Sequence, residues 1–205
     1  MRMQLLSRWY RRRFFLSSAS GFGKRKRAEG AVAAAVATAV HTQKAAPRQK
    51  RRKKHKILFV CHGNICRSPM AEFLFKDMVK KAGRENEFEI ASCAVSEEEI
   101  YRGIGNPVYP PVKALLSSLG ISCEGKRARL LTAKDGEYYD FLLCMDESNV
   151  RGAKRIVGEE NGEKCKKLLS FAGEIGDVAD PWYTRDFHAA KEDIERGLNG
   201  LLESL

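Results

Sequence analysis

Four consecutive apolar residues, Ile57-Leu58-Phe59-Val60, run straight into Cys61-His62-Gly63-Asn64-Ile65-Cys66-Arg67-Ser68-Pro69, and beyond that loop Met70, Phe73, Leu74 and Met78 follow a helical spacing. A short buried strand, a tight loop and an amphipathic helix in immediate succession are the opening of an α/β unit. At such a turn the backbone N–H groups of residues 62 to 67 can converge on one point, and the free N–H groups and positive dipole end of the helix aim at the same point. Gly63 permits a sharp bend or a positive φ, Asn64 tolerates the left-handed region, and Pro69 suits the first helical position.

The loop is a trap for one tetrahedral oxyanion with a nucleophile at its centre. Arg67 offers a planar fork that grips two oxygens at once, which lysine cannot do. Arg67 and the ring of donors favour a thiolate at Cys61. A cysteine at a strand end is more commonly a small buried hydrophobe. Here the strand before it, the Gly-Asn inside the loop and the Ser-Pro helix after it all support one geometry, that of a thiolate held beneath a bound phosphate.

Val60-Cys61-His62-Gly63-Asn64-Ile65-Cys66-Arg67-Ser68-Pro69-Met70-Ala71-Glu72 resembles the signature of the low-molecular-weight protein tyrosine phosphatase family. Asp180-Pro181-Trp182-Tyr183 is similar to that family's acid loop, and Cys144-Met145-Asp146-Glu147-Ser148-Asn149 and Lys126-Arg127-Ala128-Arg129 to two further segments. Four matches in order extend the resemblance over residues 56–205. It implies an α/β, flavodoxin-like, doubly wound parallel sheet of four strands with helices on both faces. It also implies phosphotyrosine hydrolysis through a phosphocysteine, with Cys61 as nucleophile and Arg67 and the loop from His62 through Gly63, Asn64, Ile65 and Cys66 to Ser68 holding the phosphate. Asp180 would act as general acid and then base, and Trp182 and Tyr183 would flank the substrate ring. Ser68, otherwise a candidate N-cap, would donate to the Cys61 thiolate, and Cys66 would protect it from over-oxidation through a reversible bridge. Asp146 would brace the loop, cap the helix after it, or act directly.

This chain departs from the resemblance at two places. Many relatives carry a histidine at the position of Lys126, supporting the loop asparagine and serine, so that network is expected to differ or be absent. Tyr101 and Arg102 compete for the wall opposite the acid loop. Two rival chemistries share the loop. Protein arginine phosphatases carry threonine where this chain has Ile65, which favours phosphotyrosine. Arsenate reductases need further cysteines to relay a disulfide, and Cys123 and Cys144 lie too far apart in sequence to look like that pair. A third reading, a polyanion-binding adaptor with a relic loop, is disfavoured because every chemical part is present.

The net charge of +11 misleads if taken as that of one domain. Residues 1–56 hold 17 of the 37 lysines and arginines and one acid, Glu29, for +16, whereas the remainder has 20 bases against 25 acids, for −5. The expected division is therefore a basic, disordered extension over 1–55 and a phosphatase domain over 56–205. The extension also reads as a targeting segment or as a gene start placed too far upstream. No specific nucleic-acid partner and no membrane span follow from it, the apolar run Gly30 to Ala39 being too short. The six cysteines, at 61, 66, 93, 123, 144 and 165, have no zinc spacing, and no metal or cofactor is called for. A thiolate nucleophile needs reducing surroundings, so the cytoplasm is expected, with an organelle or export as alternatives if the extension is a targeting segment. The partners expected are phosphotyrosine proteins, with the chain a monomer or weakly self-associating.

Downstream, strands are expected at Phe88 to Val95, Asp140 to Cys144 and Lys167 to Phe171, alternating with helices around Val112 to Leu119, Ser148 to Ile156 and Phe187 to Leu205. In such a sheet the ligand site lies at the carboxyl ends of the strands, where Cys61 falls.

Overall fold

A computed structural model describes residues 53–205. The basic extension, apart from its last three residues, lies outside the described residues. Strand β1, His55–Cys61, has a side-chain alternation that decides the layering. Ile57, Phe59 and Cys61 face one way and Leu58 and Val60 the other, and all five are buried. Both faces of the strand are therefore covered, as a central parallel strand requires.

Helix α1, Arg67–Lys81, returns the chain to β2, Phe88–Ala94, which pairs parallel to β1 from His55↔Phe88 to Cys61↔Ala94. A two-residue hairpin follows, β3 at Ile100–Tyr101 and β4 at Ile104–Gly105, then α2 at Pro110–Ser118 and α3 at Ala133–Tyr138. Strand β5, Phe141–Cys144, then pairs with the other side of β1. After α4, Glu147–Val157, and the short α5, Glu159–Gly162, strand β6 at Cys165–Lys167 adds to β5. The order is β2-β1-β5-β6, all parallel. The chain thus reverses its direction of travel across the sheet between β1 and β5. A crevice opens at that point, with Cys61 at its floor.

One layer is built by α1 and the last helix, α7 at Phe187–Ser204, which bring Met70, Leu74 and Phe75, and Ile194, Leu198 and Leu201, onto Ile57 and Phe59. The opposite layer is built by α4, whose Val150, Ala153 and Val157 cover Leu58, Val60 and Leu142. The flavodoxin-like, doubly wound arrangement is what the structure has. Among the described residues no helix is long and apolar enough to cross a membrane.

Two local expectations fail. The strand read at Lys167 to Phe171 begins and ends earlier, at Cys165–Lys167, and Leu168–Ala172 form a 3₁₀ helix instead. The cause lies in α7, whose glycines admit that segment at close range. A Cβ at Gly197 would stand 2.6 Å from Leu168 Cγ, and one at Gly200 would stand 2.1 Å from the Phe171 carbonyl oxygen. A non-local glycine cleft therefore overrides a local apolar run. Gly200→Ala gains about 1 kcal/mol of helix propensity, but the added methyl meets backbone that cannot swing aside. Overpacking costs typically 1–3 kcal/mol and occasionally more, so the urea midpoint is expected to fall. A rise would show that the helix stands further off.

The second failure is at the start of α1. Cys66, not Ser68, is its N-cap residue, with no side-chain cap, so Pro69 is the third helical residue rather than the first. Proline is tolerated there because the first four N–H groups of a helix have no intrahelical acceptor.

Candidate active site

The loop leaves β1 and bends at Asn64, whose φ of +56° is left-handed. Gly63 lies within the bend without a positive φ, and a Cβ there would lie 2.8 Å from Glu99 Cγ. His62 is exposed and pairs with Glu98 at 3.2 Å. Ile65 is half-buried, and its carbonyl accepts from the Tyr109 N–H at 2.9 Å, tying the loop to the start of α2.

Cys61 Sγ lies 3.0 Å from Ser68 Oγ and accepts the Asn64 N–H at 3.3 Å. The Asn64 side chain, 1% exposed, braces the interior. Its Nδ2 donates to Ser68 Oγ at 2.9 Å and to Ser92 Oγ at 2.8 Å, and its Oδ1 accepts from the Arg129 N–H at 3.1 Å. Arg67 is buried and shared by two carboxylates. Nη1 donates to Asp146 Oδ2 at 2.8 Å and Nη2 to Asp180 Oδ2 at 2.6 Å. Burial works against the guanidinium charge, but Cys61, Asp180 and Asp146 more than offset it, so Arg67 holds its proton more tightly than an exposed arginine.

Asp146 both caps and braces: its Oδ1 accepts the Asn149 N–H at 2.7 Å at the head of α4 while its Oδ2 holds Arg67. Asp180 is presented by a segment pinned on both sides. The Val178 N–H donates to the Met145 carbonyl at 2.8 Å and the Ala179 N–H to Asp193 Oδ2 at 2.8 Å. Asp180 also caps the four-residue helix α6, Pro181–Thr184, through the Trp182 N–H at 3.0 Å. Trp182 and Tyr183 follow at once, 46% and 83% exposed, as aromatic surface next to the carboxylate.

The model of the family described as low molecular weight phosphotyrosine protein phosphatase matches residues 56–205. The chain belongs to that family. Relatives include the low molecular weight protein-tyrosine-phosphatase YfkJ of Bacillus subtilis, 35% identical over 73% of this chain and 94% of the relative. The low molecular weight phosphotyrosine protein phosphatase of Gallus gallus is 37% identical over 72% and 93%. The crystal structure of YfkJ superposes with a TM-score of 0.69, covering 75% of this chain and 96% of that one at 35% identity. A structure of YwlE arginine phosphatase with a phosphorylated active-site serine is 26% identical, with a TM-score of 0.63 over 73% and 95%. The fold is therefore shared with a protein described as an arginine phosphatase.

Two features of this member were legible only in part. Cys66 is half-buried, and burial, with Cys61 adding to it, pushes its thiol far above the ordinary cysteine value against the pull of Arg67. Lys126 does not abolish the network behind the loop but enters it by another route. Its Nζ donates to the Ser92 carbonyl at 3.0 Å and pairs with Glu72 Oε2 at 2.9 Å, while Ser92 Oγ donates to the same carboxylate oxygen at 2.5 Å. Sequence reasoning assigned no role to Glu72 or Ser92. The available signals were an acid inside the buried first turns of α1 and a serine in a fully buried stretch of β2.

Tyr101 and Arg102 both sit on the exposed hairpin, with the Arg102 guanidinium 5.2 Å from the Tyr101 ring centre.

Proposed function

We propose that the chain hydrolyses phosphotyrosine in proteins through a phosphocysteine, with residues 56–205 as the catalytic domain. The observation that carries this reading is the meeting of Arg67 with Asp180 at 2.6 Å beside the Cys61 loop. Nucleophile, anion-binding cation and acid come from residues 61, 67 and 180 and converge at one strand end.

The Cys61 thiolate attacks phosphorus in line with the aryl oxygen, forming the P–S bond as the P–O bond breaks. Arg67 and the amides of His62 to Ser68 hold the three equatorial oxygens, where the charge is spread. Nη1 stays on Asp146, while the phosphate takes Nη2 from Asp180. Freed from Arg67 by the phosphate, Asp180 takes up a proton from solvent and delivers it to the departing phenolate oxygen, and its carboxylate then accepts one from the water that attacks the phosphocysteine as the P–S electron pair returns to Cys61. Trp182 and Tyr183 flank the ring of the substrate. Cys66 is the partner we assign to Cys61 in a reversible protective bridge. A thiolate enzyme of this kind works in a reducing compartment, for which we assign the cytoplasm, as a monomer or in weak self-association.

The specificity rests on Ile65, whose side chain has no hydroxyl with which to orient water as a threonine at that place would. Against matched phosphotyrosine and phosphoarginine peptides, the full chain is expected to favour phosphotyrosine by at least about tenfold in kcat/KM. Turnover of phosphoarginine alone would overturn the assignment. Arsenate reduction in the same preparation is expected to be undetectable, because Cys144 is fully buried in β5 and offers no relay thiol.

A further inference from the structure

The bond between Asp180 and Arg67 has to break before Asp180 can act, since in the reaction above the phosphate takes Arg67 Nη2. From that moment the carboxyl stays beside the leaving oxygen only as far as its backbone is held there. The backbone is held in part by charged groups on α7 that the mechanism leaves unused.

The acid segment runs from Gly173 to Asp180, and both of its ends are bonded to one turn of α7. At the far end the N–H of Ala179, the residue before Asp180, donates to Asp193 Oδ2 at 2.8 Å. At the near end Glu174 takes Arg196 in a two-pronged pair, with Nε on Oε1 at 2.7 Å and Nη2 on Oε2 at 3.0 Å. The other hydrogen of Nη2 goes to Asp193 Oδ1 at 2.9 Å. The two oxygens of Asp193 are thus divided between Arg196 and the Ala179 N–H. Residues 193 and 196 share a helix face, and the turn that carries them is fixed. Ile194 is fully buried, and Gly197 and Gly200 seat the 3₁₀ helix from which the acid segment starts.

The Arg196 and Glu174 side chains are 48% and 38% exposed, so their pair adds little to stability. Its contribution is geometric. The fork fixes the plane of the guanidinium, and the guanidinium fixes which Asp193 oxygen faces Ala179. The same segment is tied from the sheet side by the Val178 N–H on the Met145 carbonyl and by Lys167 on Asp177. Loss of Asp193 therefore displaces the segment rather than releasing it.

We propose that Asp193 is a positioning residue for the general acid: oriented by Arg196, it holds the Ala179 N–H and keeps the Asp180 carboxyl at the leaving oxygen once Arg67 has turned to the phosphate. The inference rests on the phosphocysteine reading given above. Asp193 touches no reacting atom and gives up no proton. The proton that reaches the leaving oxygen is the one on Asp180, as the P–S bond forms and the P–O bond breaks.

The test uses single-turnover rates of the full chain on a phosphotyrosine peptide and on para-nitrophenyl phosphate, with burst amplitude counting the active sites. Asp193→Ala is expected to slow the phosphotyrosine reaction by about tenfold, the scale of a misplaced catalytic group. para-Nitrophenyl phosphate, whose leaving group needs little help from a proton, is expected to lose less than about threefold. Inhibition by inorganic phosphate should be unchanged, because Arg67 and the loop are untouched. In an Asp180→Ala chain the same substitution is expected to cost less than about twofold, since no acid is left to misplace. Asp193→Asn keeps an oxygen for the Ala179 N–H and is expected to stay within about threefold of the natural rate.

Equal losses on the two substrates, a loss in the Asp180→Ala chain as large as in the natural one, or Asp193→Asn as slow as Asp193→Ala would each overturn the proposal. An unchanged rate per active site with only a lowered melting temperature is the mark of a purely structural contact and overturns it too. A natural chain that turns over neither substrate would remove the phosphocysteine reading and this inference with it. Normal turnover by both the natural chain and Asp193→Ala would remove only the role of Asp193.

Discussion

Cys61→Ser is expected to lower kcat/KM for a phosphotyrosine peptide by on the order of 10⁵-fold or more, while phosphate still binds. The size follows from the chemistry: a hydroxyl is almost wholly protonated where a thiolate is available, and nothing in the loop is placed to take its proton as a general base. Ser68 and Asn64, the groups that touch the sulfur, are held as donors by the network behind them. The loss should not come from misfolding. Cys61 is small and ends a strand paired on both flanks through Val60. The substitution exchanges one atom, and the new hydroxyl keeps hydrogen-bond partners in the Asn64 N–H and Ser68 Oγ. Inorganic phosphate is expected to raise the melting temperature of the variant by nearly as much as that of the natural chain, since Arg67 and the loop amides are intact. Residual turnover within about a hundredfold of normal would mean that Cys61 is not the nucleophile.

The catalytic loop was legible because everything that shapes it is local. Strand, Gly-Asn bend and helix opening occupy residues 57 to 69, and each constrains its neighbours through the backbone. Asp180 was picked out by a different signal, the likeness of Asp180-Pro181-Trp182-Tyr183 to the family's acid loop. Its pairing with Arg67 was not, because the distance depends on Asp193 and Met145 holding the segment in place. Glu72, Ser92 and Lys126 were harder still. They are 20 and 34 residues apart, and only the packing of α1 and the 126–129 segment against β2 joins them. The misread strand at Lys167 to Phe171 has the same origin in reverse: its apolar run fits a strand locally, and two glycines on α7 decide otherwise.

The second large effect is expected at Asp180, and its diagnostic feature is dependence on the leaving group. Asp180→Ala is expected to lower kcat for phosphotyrosine by about 10²- to 10³-fold, within the range for loss of a general acid. A phenol of tyrosine type departs poorly as a bare anion, so a proton in transit is worth most there. A nitrophenolate departs readily without one, and para-nitrophenyl phosphate should lose roughly tenfold less than phosphotyrosine in the phosphorylation step. The same substitution also removes the partner from Arg67 Nη2, which competes with phosphate for that donor in the natural chain. Phosphate binding is therefore expected to hold or tighten while turnover collapses, a pattern that damage to the loop cannot produce. Asp180→Asn separates the two roles, since the amide keeps the cap on the Trp182 N–H but carries no transferable proton. Equal losses for both substrates, measured from burst rates in Asp180→Ala and Asp180→Asn, would assign the acid elsewhere and leave Asp180 as an anchor for Arg67.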